Sequence, residues 1–172
     1  MKLLILTVLL SSYYLVSCDN RTPGYYWRDV YGQIPQDAFR AGKDNYVAQV
    51  LTQDNHVLVP AQLKANPVQL TYAYDGQYNF AKSTYKVFAT TDANQFEWIK
   101  ANNDNINQLA LERELIPGGF DDHYPLFIGK SLQGGFIGSV SVNPVYSGLA
   151  YLDENNYYQH DYEYLVLAYK VL

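Results

Sequence analysis

The chain has 172 residues, a formal net charge of −5, an apolar fraction of 48% and a single cysteine. This apolar fraction argues against disorder, and the lack of any cluster of lysine and arginine argues against nucleic acid and anionic membrane surfaces as partners. Eighteen tyrosines favour an all-β protein with partly wet sheet faces, because tyrosine is a strand former with an apolar body and a polar tip.

The N-terminal residues 1–18 have the pattern of a secretory signal peptide. Lys2 precedes a short apolar run over residues 3–10, which is shorter than a membrane-spanning helix requires. Cleavage after Cys18 would remove the only cysteine, so the mature protein would have no disulfide. Residues 15–18 also resemble a bacterial lipoprotein box, which leaves lipid anchoring through Cys18 as an alternative. The sequence therefore predicts a secreted chain without stable membrane insertion.

Short strands separated by turns follow the signal. Alternating apolar and polar residues predict strands, with a turn at Asp75-Gly76, and Pro60 is expected to end the strand before it or to confine it to an edge. The best helical candidate lies at residues 105–115. The predicted strands cover residues 25–30, 46–52, 57–59, 68–74, 84–89, 127–131, 136–142, 148–152 and 162–171.

Several features occur twice along the chain. The early matches lie 71 or 72 residues apart and the later ones 77 apart, which predicts an insertion of about five residues between Leu111 and Gly119. The matched pairs are Trp27 with Trp98, Ala38-Phe39 with Ala110-Leu111, Gly42 with Gly119, Asp44 with Asp121, Leu63 with Val140, and Tyr85 with Tyr162.

These matches predict two tandem homologous repeats, residues 19–95 and 96–172. One repeat is small for a stable core, so we expect antiparallel β-sandwich or barrel-like halves that share a core. In each Gly-x-Asp segment, we expect the glycine to reverse the chain through a positive φ and to leave the aspartate at the mouth of the next strand. Each aspartate then either accepts hydrogen bonds from a ligand or closes a local Asx-turn.

The repeats resemble the DM-nine repeat family, also called domain of unknown function 3421. The family motif I-P-x-x-A-V-x-A-G-x-D is matched by residues 34–44, which read IPQDAFRAGKD, and its L-Y-V-G-R segment is matched by residues 126–130, which read LFIGK. The resemblance covers nearly everything after the signal. It implies a tandem β-sandwich fold with segments that exchange between repeats.

The resemblance also implies a function, because the best-understood type of member is a mannose-binding lectin of innate pattern recognition. The sugar site of that type uses the aspartate of Gly-x-Asp and a lysine from a Pro-Gly-Lys-Val segment. The aspartates are Asp44 and Asp121 here, while Gln62 and Ser139 occupy the lysine positions. Both replacements can donate hydrogen bonds, although without charge. The four residues are the candidate ligand-binding site.

Other chemistry has little support in the sequence. Asp121-Asp122-His123 contains metal-ligating residue types, but adjacent residues rarely converge on one ion, so no metal site is predicted. No nucleophile motif or phosphate-binding loop occurs, so we expect neither an enzyme nor a cofactor. The expected partner is a mannose-type or microbial glycan, and tandem or homodimeric display would raise its avidity. The alternative is a secreted protein-interaction or structural module that has kept the fold and lost the sugar site.

Overall fold

The computed structural model describes residues 24–52, 56–80, 84–121 and 124–171. The signal peptide and Cys18 lie outside these residues. Within them, one α-helix, α1, spans Ile106–Glu112, a short 3₁₀ turn spans Ala93–Gln95, and the remaining regular elements are thirteen strands. The strands β1 to β13 are Tyr26–Asp29, Asn45–Leu51, Leu58–Ala65, Val68–Tyr74, Gln77–Phe80, Tyr85–Ala89, Phe96–Asn102, Pro117–Asp121, Tyr124–Ser131, Ile137–Ser141, Gly148–Leu152, Tyr158–Asp161 and Glu163–Tyr169. The predicted all-β class is confirmed, and α1 lies within the stretch predicted as the best helical candidate.

Strand pairing divides the chain into two antiparallel runs of six strands with the same order. The first run is β1-β6-β2-β3-β4-β5, and the second is β7-β13-β9-β10-β11-β12. β8 joins the two runs, because it pairs with β9 and also meets β3 where Phe120 faces Leu58. A duplication would give this shared order, and the homology of residues 19–95 and 96–172 stays a prediction.

Backbone hydrogen bonds identify equivalent positions in the two halves. The Phe39 N–H donates to the Phe88 carbonyl at 2.8 Å, and the Ile116 N–H donates to the Leu167 carbonyl at 2.9 Å. Ala38-Phe39 is therefore equivalent to residues 115–116, and its predicted match to residues 110–111 is wrong. The reason is that residues 106–112 form α1, so the extra residues precede the match.

The strand registers correct a second predicted match. Val50 pairs with Tyr85 between β2 and β6, and Ser131 pairs with Tyr164 between β9 and β13. Tyr164 is thus the equivalent of Tyr85, and the predicted match to Tyr162 is wrong. A single insertion between Leu111 and Gly119 is also wrong, because the second half is longer both at α1 and between Ile116 and Ile128, the equivalents of Phe39 and Val47.

Side chains that alternate between the two faces of the central strands form three hydrophobic clusters. In β2, Tyr46, Ala48 and Val50 pack into a cluster of mostly first-half residues, while Val47 points to the opposite face. In β9, Phe127 belongs to a second-half cluster. The central cluster takes residues from both halves, so the expected shared core is confirmed. Its buried members are Phe39, Ala41, Val47, Phe88, Phe96, Ile116, Ile128, Ile137 and Leu167.

The two tryptophans pack against this central cluster. Trp27 meets Phe88 edge to face with ring centroids 5.5 Å apart, and Trp98 lies 6.5 Å from Phe39. Both tryptophans are partly buried. They occupy equivalent places in β1 and β7, because Trp27 pairs with Phe88 and Trp98 with Leu167.

Pro60 lies inside β3, so the prediction that it limits the strand is wrong. Between β2 and β3, the Thr52 N–H donates to the Val57 carbonyl and the Ala65 N–H donates to the Asp44 carbonyl. Every second pair in an antiparallel ladder is hydrogen-bonded, so the pair Gln49–Pro60 is a non-hydrogen-bonded one and the Pro60 nitrogen points away from β2. On that other side, β8 meets β3 only at Leu58 and β4 pairs with β3 only from Gln62 onward, so Pro60 lies between the two. The missing N–H therefore interrupts no ladder, and the strand continues through the proline.

The two Gly-x-Asp segments are not the positive-φ turns that the sequence predicts. Neither Gly42 nor Gly119 has a positive φ. Gly119 lies within β8, where a Cβ would come within 1.9 Å of the Leu58 carbonyl oxygen, so close approach to β3 requires the glycine. Nothing in the structure explains a requirement for glycine at position 42.

Candidate functional site

An open cleft of about 890 Å³ lies on the outer face of the second half. Its floor consists of small side chains on two paired strands: Ser139 and Ser141 of β10 lie opposite Ala150 and Gly148 of β11. The intervening residues, such as Val140, point into the second-half core. Because successive strand residues alternate between faces, the Ser-Val-Ser pattern produces both a packed core and an open floor.

One wall of the cleft comes from the first half. The hairpin between β4 and β5 contributes Tyr74, Asp75 and Gly76, and β4 packs against β11. Asp75 and Gly76 have φ values of 52° and 66°, which form a tight two-residue hairpin turn of the type that matches strand twist. The cleft is therefore composite, since the halves supply different walls.

The other walls come from β12 and two loops. Tyr158 and His160 stand on β12, and the rings of His160 and Tyr162 meet edge to face at 5.2 Å. A loop before β11 carries Tyr146, and it is held by Asn103, whose Nδ2 donates to the Ser147 carbonyl at 2.8 Å. Tyr146 and Tyr162 are 72% and 67% exposed, so they form an aromatic rim.

The cleft is acidic in character. Asp75 and Asp121 line it, and no lysine or arginine does so among the described residues. Burial raises the pKa of Tyr158, and the nearby Asp75 carboxylate raises it further. The tyrosine hydroxyl therefore stays protonated, and the cleft combines hydroxyl donors with carboxylate acceptors.

The structure brings two of the four predicted site residues together. Asp121 and Ser139 both line the cleft. Gln62 is only 2% exposed, and its Oε1 accepts a hydrogen bond from the Ile137 N–H at 3.0 Å, so it belongs to the interior between the halves rather than to a ligand surface. Asp44 is exposed before β2 and does not line this cleft.

Most of the cleft is not predicted by the sequence. The sequence predicts only a turn role for Asp75, and it groups Tyr158 and Tyr162 with the strand-forming tyrosines. A usable signal was present at residues 138–141, which read GSVS, because small outward residues alternate there with a buried valine. No local sequence pattern predicts that the first-half hairpin lines the cleft, because its position depends on how the two halves pack.

Two other sequence expectations concern metals and membranes. In the described part of the chain, no group of three or more His, Cys, Asp or Glu residues could hold a metal ion. Asp122 and His123 lie outside that part. Nor do residues 24–52, 56–80, 84–121 and 124–171 contain a helix long and apolar enough to cross a membrane.

The fold and the cleft define an all-β protein with an open, polar and tyrosine-rich surface site. No protein-family model matches the chain, and no curated protein matches it in sequence. Among solved structures, it is similar to the nematode sperm cell motility protein MFP2B, with a TM-score of 0.57 and 9% identity. The match covers 86% of this chain and 44% of that protein, so the chain spans less than half of its length. This likeness shows a shared fold.

Proposed function

We propose that this chain is a secreted, non-enzymatic carbohydrate-binding protein and that its ligand occupies the composite cleft. One observation carries the proposal: Asp121 and Ser139, two residues expected to bind sugar, line a cleft rimmed by tyrosines. Carboxylates and hydroxyls pair with sugar hydroxyls, and exposed aromatic rings cover their apolar faces. Membership of the DM-nine family and a role in recognising mannose-type or microbial glycans are parts of this proposal.

A glycan array and titration calorimetry test it. Single sugar sites often have affinities near millimolar, about −4 kcal/mol, and a charge-assisted hydrogen bond contributes about 1.5–3 kcal/mol. Asp121→Asn should therefore weaken binding at least about tenfold. Asp29→Asn is the matched control, because Asp29 lies on β1 beside Lys86 and away from the cleft. Glycan binding by Asp44→Asn tests separately whether the first half has a second binding site. Failure of the mature protein to bind any glycan on a broad array would reject the proposal.

The second candidate is a protein-interaction module. The observation in its favour is the exposure of apolar groups at the cleft rim, including Val145 beside Tyr146. This candidate predicts no glycan binding and a protein partner from the secreted fluid that is lost with Tyr146→Ala. Binding of a glycan that Asp121→Asn weakens and Tyr31→Ala leaves unchanged would favour the first candidate, since Tyr31 is exposed outside the cleft.

A further inference from the structure

The charge of the cleft narrows the ligand class. Its lining contains two carboxylates, Asp75 and Asp121, and no lysine or arginine among the described residues. An anionic glycan would bring a further negative charge against these carboxylates, and no lysine or arginine of the described lining would pair with it. A ligand that carries an ammonium group would gain from the Asp75 carboxylate, which is exposed at the cleft.

Aromatic rings strengthen this preference. Tyr146 and Tyr162 are exposed at the rim, and Tyr158 lies near enough to Asp75 for the carboxylate to raise its pKa. A cation over the face of a tyrosine is attracted by the ring quadrupole. The cleft therefore offers an ammonium group two kinds of partner, carboxylates and ring faces.

We infer that the cleft selects glycans bearing primary amines, such as partially deacetylated hexosamine polymers, over neutral glycans, and that it rejects uronic acid polymers. Asp75 is the main source of this selectivity, because it is exposed at the tip of a fixed hairpin turn and faces the second half across the cleft. The inference rests on the proposed function and adds the substrate class.

The test compares four soluble probes by calorimetry on the full mature chain: amine-bearing glucosamine oligosaccharides, their fully N-acetylated equivalents, mannose oligosaccharides and oligogalacturonates. We expect the amine-bearing probe to bind about fivefold more tightly than its acetylated equivalent, the value for one partly screened ion pair, with the preference falling as salt is raised. Oligogalacturonates should not bind.

Variants separate a local site from general attraction to an acidic protein. Asp75→Asn should abolish the amine preference and leave binding of neutral glycans, whereas Asp29→Asn removes the same charge elsewhere and should preserve the preference. If Asp75→Asn and Asp29→Asn lose the amine preference equally, the preference comes from the net charge of the protein and the inference is overturned. Equal binding of amine-bearing and acetylated probes would overturn it while leaving the proposed function intact. Absence of binding to all four probes would reject both for these glycans.

Discussion

The Oε1 atom of Gln62 accepts a hydrogen bond from the backbone N–H of Ile137 at 3.0 Å and so joins the two halves in the interior. The registers make Ile137 the equivalent of Pro60, and Ser139 the equivalent of Gln62. In the second half, the Ile137 N–H is a hydrogen-bond donor, and Gln62 accepts from it. At the equivalent position of the first half, Pro60 has no N–H. Ser139, the equivalent of Gln62, therefore has no such donor to reach, and it faces the cleft instead.

Gln62→Leu should destabilise the protein by about 1–3 kcal/mol, because it leaves the buried Ile137 N–H without an acceptor. Urea unfolding measures this loss. The control is a cycle with Ile137→Pro, a background that has no N–H at this position. The cost of Gln62→Leu should fall by about 1 kcal/mol in that background. An equal cost in both backgrounds would show that the hydrogen bond contributes nothing.

Local patterns predicted many of the strands closely. The alternation over residues 68–74 coincides with β4, and Asp75-Gly76 forms the predicted turn. The prediction for Pro60 is wrong because the effect of a missing N–H depends on which strand lies beside that edge of β3. Pairing partners are a property of the sheet, so a single-strand pattern does not contain them.

The candidate site was predictable only in part. Gln62 and Ser139 occupy equivalent positions, and a motif comparison assigns both the same role. Their surroundings differ, because Gln62 faces a backbone donor from the other half and Ser139 faces the cleft beneath the Asp75 hairpin. The packing of one half on the other decides these roles, and the sequence of either half alone does not encode that packing.

We expect that neither half folds alone. The central cluster draws Phe39 and Phe88 from the first half and Ile116 and Leu167 from the second, so separation would expose one face of each sheet. Fragments of residues 19–95 and 96–172 should show no cooperative thermal transition, while residues 19–172 together should unfold in one. Near-ultraviolet circular dichroism measures tertiary packing in each. A cooperative transition in an isolated fragment would contradict a jointly formed core.

Gly138→Ala should destabilise the protein by about 1–3 kcal/mol, the range for an overpacked interior. A Cβ at this position would lie 2.0 Å from the Ala150 carbonyl oxygen, so the backbone of β10 or β11 must shift. Ala61 occupies the equivalent place in β3, where a methyl group is accommodated and fully buried. Ala61→Gly is therefore the control and should cost about 0.5–1 kcal/mol. Chemical denaturation of both variants measures whether Gly138→Ala costs more free energy of unfolding than Ala61→Gly. An unchanged stability of Gly138→Ala would contradict the close approach of β10 to the Ala150 carbonyl oxygen.

Tyr151 is the residue expected to make stability depend on alkaline pH. It is 8% exposed and stacks on Phe136 with ring centroids 5.8 Å apart. Burial, together with the carboxylates of Asp161 and Asp153, raises the pKa of Tyr151 to about 12, above the usual tyrosine value of 10.0. Burial also raises the pKa of Tyr164, which is fully buried.

Because the folded state holds the Tyr151 proton more tightly than the unfolded state, its contribution to stability is complete below pH 10 and is lost as pH rises toward 12. The free energy of unfolding should therefore fall over this interval. Tyr151→Phe, which cannot ionise, should reduce the slope, and the residual slope should come from groups such as Tyr164. Tyr31→Phe is the control, because Tyr31 is exposed. Urea unfolding at a series of pH values, with absorbance at the tyrosinate band, measures both quantities. An unchanged slope in Tyr151→Phe would show that this hydroxyl does not resist ionisation in the folded protein.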